Sequence, residues 1–355
     1  MRRRGLPALA GVVVLGALAA ACGSGTAGVR SAAPASIATS TTAAGPPTSP
    51  AASPYGAFAL TGLPVNDPAL ALRPALSVKV DNAGPALPQS GLDTADIVTE
   101  APVEGGLTRL LATYQSQDAG SVGPIRSVRP VDADLLDELN GGIFAFSGGA
   151  AGEIAPVRGH SGAILIDNDA GNRGFTRSAD RRAPYNLYGS TEGFYAEGTR
   201  VARKLPAAPP QLFQYSWSPQ PGTAAGGVSL TWSIYRSAGW TWDAPSGVYQ
   251  RSQDGAPDTL ADGSAVTATD VVIMSTPIRG TGIFDAAHKE DPFVVVTGQG
   301  DCWLMRDGVL VQGHWVRPST YAPLKLTDAS GKPIALKPGR AWVELLPLGL
   351  HPGFS

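Results

Sequence analysis

Two arginines bracket a serine, with prolines on either side, in the stretch VGPIRSVRP from Val122 to Pro130. Guanidinium forks at this spacing suit the bidentate capture of a phosphate or carboxylate. The residues that follow, PVDADLLDELNGG, put Pro130 at a first helical position, acids in the first turn, Leu135, Leu136 and Leu139 on one stripe, and Asn140-Gly141 at a stop. Arg126, Ser127 and Arg129 are therefore expected at the start of a short helix, where free backbone N–H groups favour an anion. Asp132 and Asp134 compete for the same N–H groups and the same guanidiniums, which would make the segment a structural corner instead.

Further arginines stand in two other segments. EGGLTRLL carries Arg109, and FTRSADRRAPYN carries Arg177, Arg181 and Arg182 beside Asn186. Three such loops could converge on one pocket or lie on separate solvated faces. Of the neighbouring acids, Asp81, Glu100 and Glu104 are expected to orient the guanidiniums by ion pairing, with a general base or metal ligand as the competing role. No catalytic residue stands out. GHSGA, Gly159 to Ala163, lacks the second glycine of a serine-nucleophile turn. DNDAGN, Asp167 to Asn172, begins like a calcium loop but has no closing glutamate, so a turn is expected. Trp217, Trp232, Trp240 and Trp242 could stack on sugar rings, though core packing is the simpler expectation.

The elements that must position these residues follow an export signal. Met1-Arg2-Arg3-Arg4 is a basic start, Gly5 to Ala21 is uncharged and apolar, and LAAAC ends at Cys22. This pattern predicts a signal peptide over residues 1–21, cleavage before Cys22, and lipidation of its thiol, which would anchor the chain to the outer face of the cytoplasmic membrane. Residues 22–58 are Ala, Ser, Thr, Pro and Gly with few other residues, a composition expected of a disordered tether. With Cys22 modified, Cys302 is the one cysteine left, which excludes an internal disulfide and a Cys-rich metal site. His160, His288, His314 and His351 lack zinc-site spacing, so no metal cofactor is expected. A formal net charge of -2 without a basic tract argues against nucleic acid as a partner.

The remaining residues suggest an α+β protein in two parts. Over 59–204, runs such as ALSVKV, ADIVTE, TRLLATY, GIFAFSG and GAILID alternate with helix-compatible segments, predicting a mixed α/β domain. Prolines crowd residues 205–222, read as a linker. Over 223–355, VSLTWSIY, DVVIMS, PFVVVTG, VLVQGHW and RAWVELL predict a smaller, mainly β domain.

LTGLPVNDP, RPALSVKVDNAGPALPQSGLDTADIVTEAPVEGGLTRLLATY, VGPIRSVRP and RRAPYNLYGS resemble segments of the YerB-like bacterial lipoproteins, and the likeness continues through YQRSQDGAPDTLADG, DVVIM and LKPGRAWVELLP. The resemblance covers nearly everything after the tether. It implies an α/β N-terminal domain and a β-rich C-terminal domain, and brings no established activity. Members often have a histidine where this chain has Phe146 and another where it has Tyr185, a departure that favours binding over proton-transfer chemistry. The order of Arg109, the arginine-serine segment, a helix and a paired glycine also looks like the LytR-CpsA-Psr phosphotransferases. That likeness implies a phosphorylated envelope ligand, a wall glycopolymer or its precursor, gripped by Arg109, Arg126, Arg129, Arg177 and Arg181. A transferase of this kind would need a divalent cation such as magnesium.

Overall fold

The computed structural model describes residues 55–355 apart from 161, 286 and 287. The expected signal, Cys22, most of the tether and the serine of GHSGA lie outside the described residues. The N-terminal half contributes α1 (Pro68–Leu72), β1 (Leu76–Asp81), β2 (Ile97–Pro102), β3 (Thr108–Tyr114), α2 (Val131–Asp137), β4 (Ile143–Phe146), α3 (Ala151–His160), β5 (Ile164–Asp167) and α4 (Thr191–Val201). Five strand-like runs of the sequence thus become the five main strands of this half.

The C-terminal half is mainly β, as its turn-punctuated runs require. It supplies β6 (Gly227–Ser233), β7 (Arg236–Asp243), β8 (Val248–Gln253), β9 (Asp270–Thr276), β10 (Ile278–Phe284), β11 (Glu290–Val294), β12 (Gly298–Arg306), β13 (Val309–Arg317), β14 (Lys325–Thr327) and β15 (Ala341–Pro347). The chain is therefore α+β, with a mixed α/β N-terminal half and a β-rich C-terminal half.

One large sheet joins the halves. Its order is β14-β13-β12-β9-β15-β2-β3-β1-β4-β5, and the join is the parallel pairing of β2 with β15, Ile97 against Ala341 through Glu100 against Glu344. A strand buried on both faces reads as a continuous apolar run; AWVELL in β15 is buried from Ala341 to Leu346. The proline-rich residues 205–222 pack rather than hang free. Leu212 and Phe213 are buried, and Gln214–Tyr215 pairs with Ala335–Leu336.

Side-chain alternation sends each strand's residues to two different cores. On one face Val98, Leu110, Ile273 and Trp342 meet Leu230, Trp240 and Tyr249 of a second sheet built on β6, β7 and β8, and Phe194 of α4 joins the same cluster. On the other face Ile97, Leu111, Phe144 and Val343 meet Leu135, Leu136 and Leu139 of α2 and Val157 of α3. Trp232 and Trp240 are core residues, and Trp242 packs on Tyr249 with ring centroids 4.9 Å apart. Phe146 stacks on Phe144 at 4.8 Å inside the α2 core.

Candidate functional site

Arg109 opens β3 directly opposite Asp81, the last residue of β1. Both project to the α2 face, because Lys79, Asp81, Arg109 and Leu111 share one parity of the pleat. VGPIRSVRP runs over this end of the sheet. Arg126 N–H donates to the Lys79 carbonyl at 3.0 Å, and Ile125 N–H to the Leu187 carbonyl at 2.7 Å. The segment is thereby stitched to β1 on one side and to the loop carrying Tyr185 and Asn186 on the other.

Arg129 is buried at the centre of a charge network. Its Nε donates to Glu104 Oε2 at 2.8 Å and its Nη2 to Glu104 Oε1; Nη1 donates to the Val128 carbonyl at 2.6 Å and to Ser127 Oγ at 3.2 Å. Glu153 Oε1 of α3 lies 3.1 Å from Nη1, and Asp291 Oδ1 of β11 lies 3.1 Å from Nε. Arg109 donates to Glu104 at 3.0 Å and to Ser127 Oγ at 3.1 Å. Burial alone would raise the Glu104 carboxyl, but the hydrogen bond from Arg129 and the charges of Arg109 and Arg129 outweigh it and hold the group at about 2.

The helix start offers no free anion seat. Pro130 caps α2 rather than beginning it, and Asp132 turns back to accept the Arg129 N–H at 2.7 Å. Asp132 also meets Lys79 Nζ at 2.6 Å, with both side chains buried, so its cation is Lys79 and not an arginine. The expected stop is in place, with Asn140 and Gly141 at φ 59° and 81°.

Arg126 differs from Arg109 and Arg129. Its Nε lies 3.1 Å from Asp81 Oδ2, its side chain is 28% exposed, and its guanidinium carbon stands 5.9 Å from the centre of the Tyr185 ring. Among the described residues neither Nη group of Arg126 has a hydrogen-bond partner. Arg177 pairs in register with Leu187 and donates to Asn186 Oδ1 at 2.8 Å, which brings an exposed second guanidinium to the same loop. Arg181 is placed differently: it donates to the Ala86 and Pro88 carbonyls at 2.7 and 2.8 Å, holding a loop.

Two sequence expectations change at this point. Glu100 is not part of the arginine site. One residue's difference in parity turns it to the opposite face of β2, where it accepts from Thr108 Oγ1 and Arg251 Nη2 at 2.6 Å each and from Asn82 Nδ2 at 3.0 Å. Conversely Asp291, Glu153 and Lys79 belong to the network and were missed, whereas Asp132, expected to compete for the helix-start N–H groups, does take the Arg129 N–H and pairs with Lys79. Lys79 was legible, two positions from Asp81 on the same strand face; Asp291 was not, since nothing local ties EDPFV to an arginine 160 or so residues earlier.

Asp291 is the least compensated member. It is buried, and neither carboxylate oxygen accepts a hydrogen bond among the described residues. Burial, with Glu153 and Glu104 nearby and despite Arg129, pushes its carboxyl up to about 8. Asp167 organises the DNDAGN turn, accepting from Gly148 N–H at 3.0 Å and Asp169 N–H at 2.9 Å, so that segment braces the paired glycines.

Comparison with known proteins places this geometry in context. The N-terminal domain of a family described as a protein of unknown function, DUF3048, matches residues 60–204, and its C-terminal domain matches residues 228–343. A Bacillus subtilis (strain 168) protein named "Putative lipoprotein YerB" is 28% identical over 294 residues, 81% of this chain and 85% of that one. A crystal structure of the YerB protein from Bacillus subtilis superposes with a TM-score of 0.72 at 25% identity, covering 84% of this chain and 99% of the other.

Proposed function

The chain belongs to the DUF3048 family, and from that membership and the site's geometry we propose that it is an exported, lipid-anchored envelope protein that binds a phosphate-bearing wall precursor or polymer at Arg126. Its similarity to a protein named as a lipoprotein supports membrane association through lipid. Residues 1–21 as the signal, Cys22 as the lipidated residue and the outer face of the cytoplasmic membrane as its location are parts of the same proposal. The carrying observation is the Arg126 guanidinium. Asp81 Oδ2 stands 3.1 Å from its Nε, the Tyr185 ring centre lies 5.9 Å from its guanidinium carbon, and Asn186, next to Tyr185, accepts from exposed Arg177. Arg109 and Arg129 act indirectly, by holding Ser127 and the segment that presents Arg126.

Thermal unfolding of the full chain with and without geranyl pyrophosphate tests this. Saturation at a hundred times the dissociation constant adds about 2.7 kcal/mol, worth a few degrees in a chain of this size. The shift should vanish in Arg126→Ala and persist in Arg203→Ala. No shift in the unmodified chain would exclude the anion reading and leave a partner protein as the ligand.

One observation favours a transferase as the second reading. Asp291 lies 3.1 Å from Arg129 Nε with neither oxygen accepting a hydrogen bond among the described residues, and burial raises its carboxyl towards about 8, the direction a general acid needs. Among the described residues no group of three acids, histidines or cysteines is placed to hold a metal, so magnesium would arrive with the pyrophosphate. Under this reading Asp291→Asn removes magnesium-dependent transfer and keeps the thermal shift; no transfer by the unmodified chain would exclude it.

A further inference from the structure

Five of the nine large apolar side chains exposed among the described residues gather at one end of the large sheet: Ile234, Tyr235, Ile278, Phe284 and Leu348. The pairing of strands establishes this. β2, β15 and β9 run parallel, with Glu100 against Glu344 and Thr276 against Pro347, so their C-terminal ends coincide. Ile278 follows β9 there, and Leu348 follows β15, its N–H donating to the Thr276 carbonyl at 2.8 Å. The turn after β2 lies at the same end and accepts, through the Gly106 carbonyl, a 2.6 Å hydrogen bond from Ser233 Oγ. That bond fixes the tip of the β6–β7 hairpin beside it.

The tip itself is unusual. Ile234 and Tyr235 form the two-residue connection between paired Ser233 and Arg236, are 90% and 65% exposed, and neither takes a positive φ. Glycine, asparagine and aspartate are the usual residues of so short a connection. Here an aliphatic and an amphipathic aromatic residue are held outward on a braced base, since Ser233 Oγ also accepts the Tyr235 N–H at 2.9 Å. The β10–β11 hairpin rises from the opposite face of the sheet, because its Asp291 meets Arg129, and it carries Phe284 with exposed Arg279 and Lys289. Two hairpins, one from each face, therefore fringe one end of the molecule with apolar side chains and two cations, with exposed Glu290 following Lys289 at the start of β11 and its carboxylate accepting the Gly282 N–H.

We propose that this fringe is a membrane contact: Ile234 and Phe284 enter the acyl boundary of the bilayer that holds the lipid anchor, Tyr235 sits at the headgroup level, and Arg279 and Lys289 face lipid phosphates. Aliphatic insertion, an interfacial aromatic and nearby cations are the chemistry of a peripheral lipid contact. A lipid anchor raises the effective concentration of bilayer at this fringe, so a few side chains suffice. The proposal rests on the lipid anchor proposed above and does not depend on what Arg126 binds.

The test is a spin label on Ile234→Cys in the full chain, anchored in phosphatidylglycerol–phosphatidylethanolamine vesicles. Cys302 is buried and does not compete for the label. Leu72→Cys serves as reference, because Leu72 is 76% exposed and precedes β1 at the opposite end of the sheet. The label at 234 should collide with a water-soluble nickel chelate at least threefold less often than the label at 72, and more often with oxygen. Equal collision rates would overturn the proposal, as would immobilisation at 234 that appears only when envelope proteins are added. A label on Phe284→Cys should regain the nickel chelate in an Ile234→Ser, Tyr235→Ser background. Arg126→Ala should leave all these readings unchanged, which separates this surface from the anion site.

Discussion

Replacing Arg129 with methionine strands Glu104 and Glu153 in a buried site, because the same guanidinium serves both carboxylates. Breaking a buried ion pair from one side costs about 3–5 kcal/mol, so Arg129→Met should lower the urea midpoint severely, whereas half-exposed Arg126→Ala should cost about 1 kcal/mol or less. The acids titrate in opposite senses. Glu104 is held at about 2, below its ordinary 4.5, so its contribution is complete above about pH 4.5 and is lost as the pH falls towards 2. Asp291 is raised from 3.8 to about 8, so the folded chain keeps a proton that the unfolded chain releases. Stability linked to that proton is present below about pH 4 and declines as pH rises towards 8. Asp291→Asn should therefore stabilise by about 1–3 kcal/mol at pH 8 and leave pH 4 unchanged, as read from urea unfolding at the two values.

The segment VGPIRSVRP owes its course to a glycine as much as to its arginines. Gly123 has φ 150°, and a Cβ there would stand 2.7 Å from the Leu187 carbonyl oxygen and 2.8 Å from the Tyr188 ring. Gly123→Ala should cost about 2–4 kcal/mol in chemical denaturation and weaken geranyl pyrophosphate binding with it, since Arg126 is carried on the displaced chain. Much of this was legible. Apolar runs located the strands, the helix stop at Asn140-Gly141 followed from turn chemistry, and Asp81, Glu104, Arg109, Ser127 and Arg129 do meet. Glu100 was misplaced because nearness in sequence was weighed above strand parity, although Val98 and Glu100 necessarily face away from Ile97 and Thr99. Asp291 and the pairing of β2 with β15 stayed hidden because a hydrogen-bonded ladder leaves no local pattern that names its partner.

The two halves are also tied across the second core. Glu100 of β2 accepts from Arg251 of β8 at 2.6 Å, and Asp258 accepts from the same guanidinium, which stands 4.9 Å from the centre of the Trp342 ring. Glu344 lies beside Glu100 in register; burial, and then Glu100, push its carboxyl well above the usual range. Residues 59–204 expressed alone would expose the β2 edge and leave Glu100 without Arg251. They should fail to give a dispersed amide NMR spectrum, whereas residues 55–355 should unfold in one transition. The place of β15 between β2 and β9 has a further consequence for biogenesis. The chain crosses the membrane N-terminus first in the proposed export route, yet β2 must wait about 240 residues for its neighbour. The first half then arrives outside with an open, apolar strand edge and cannot close its sheet until translocation is almost over, so secretion of this protein calls for a periplasmic-side or wall-zone holdase, or for export faster than edge-to-edge aggregation.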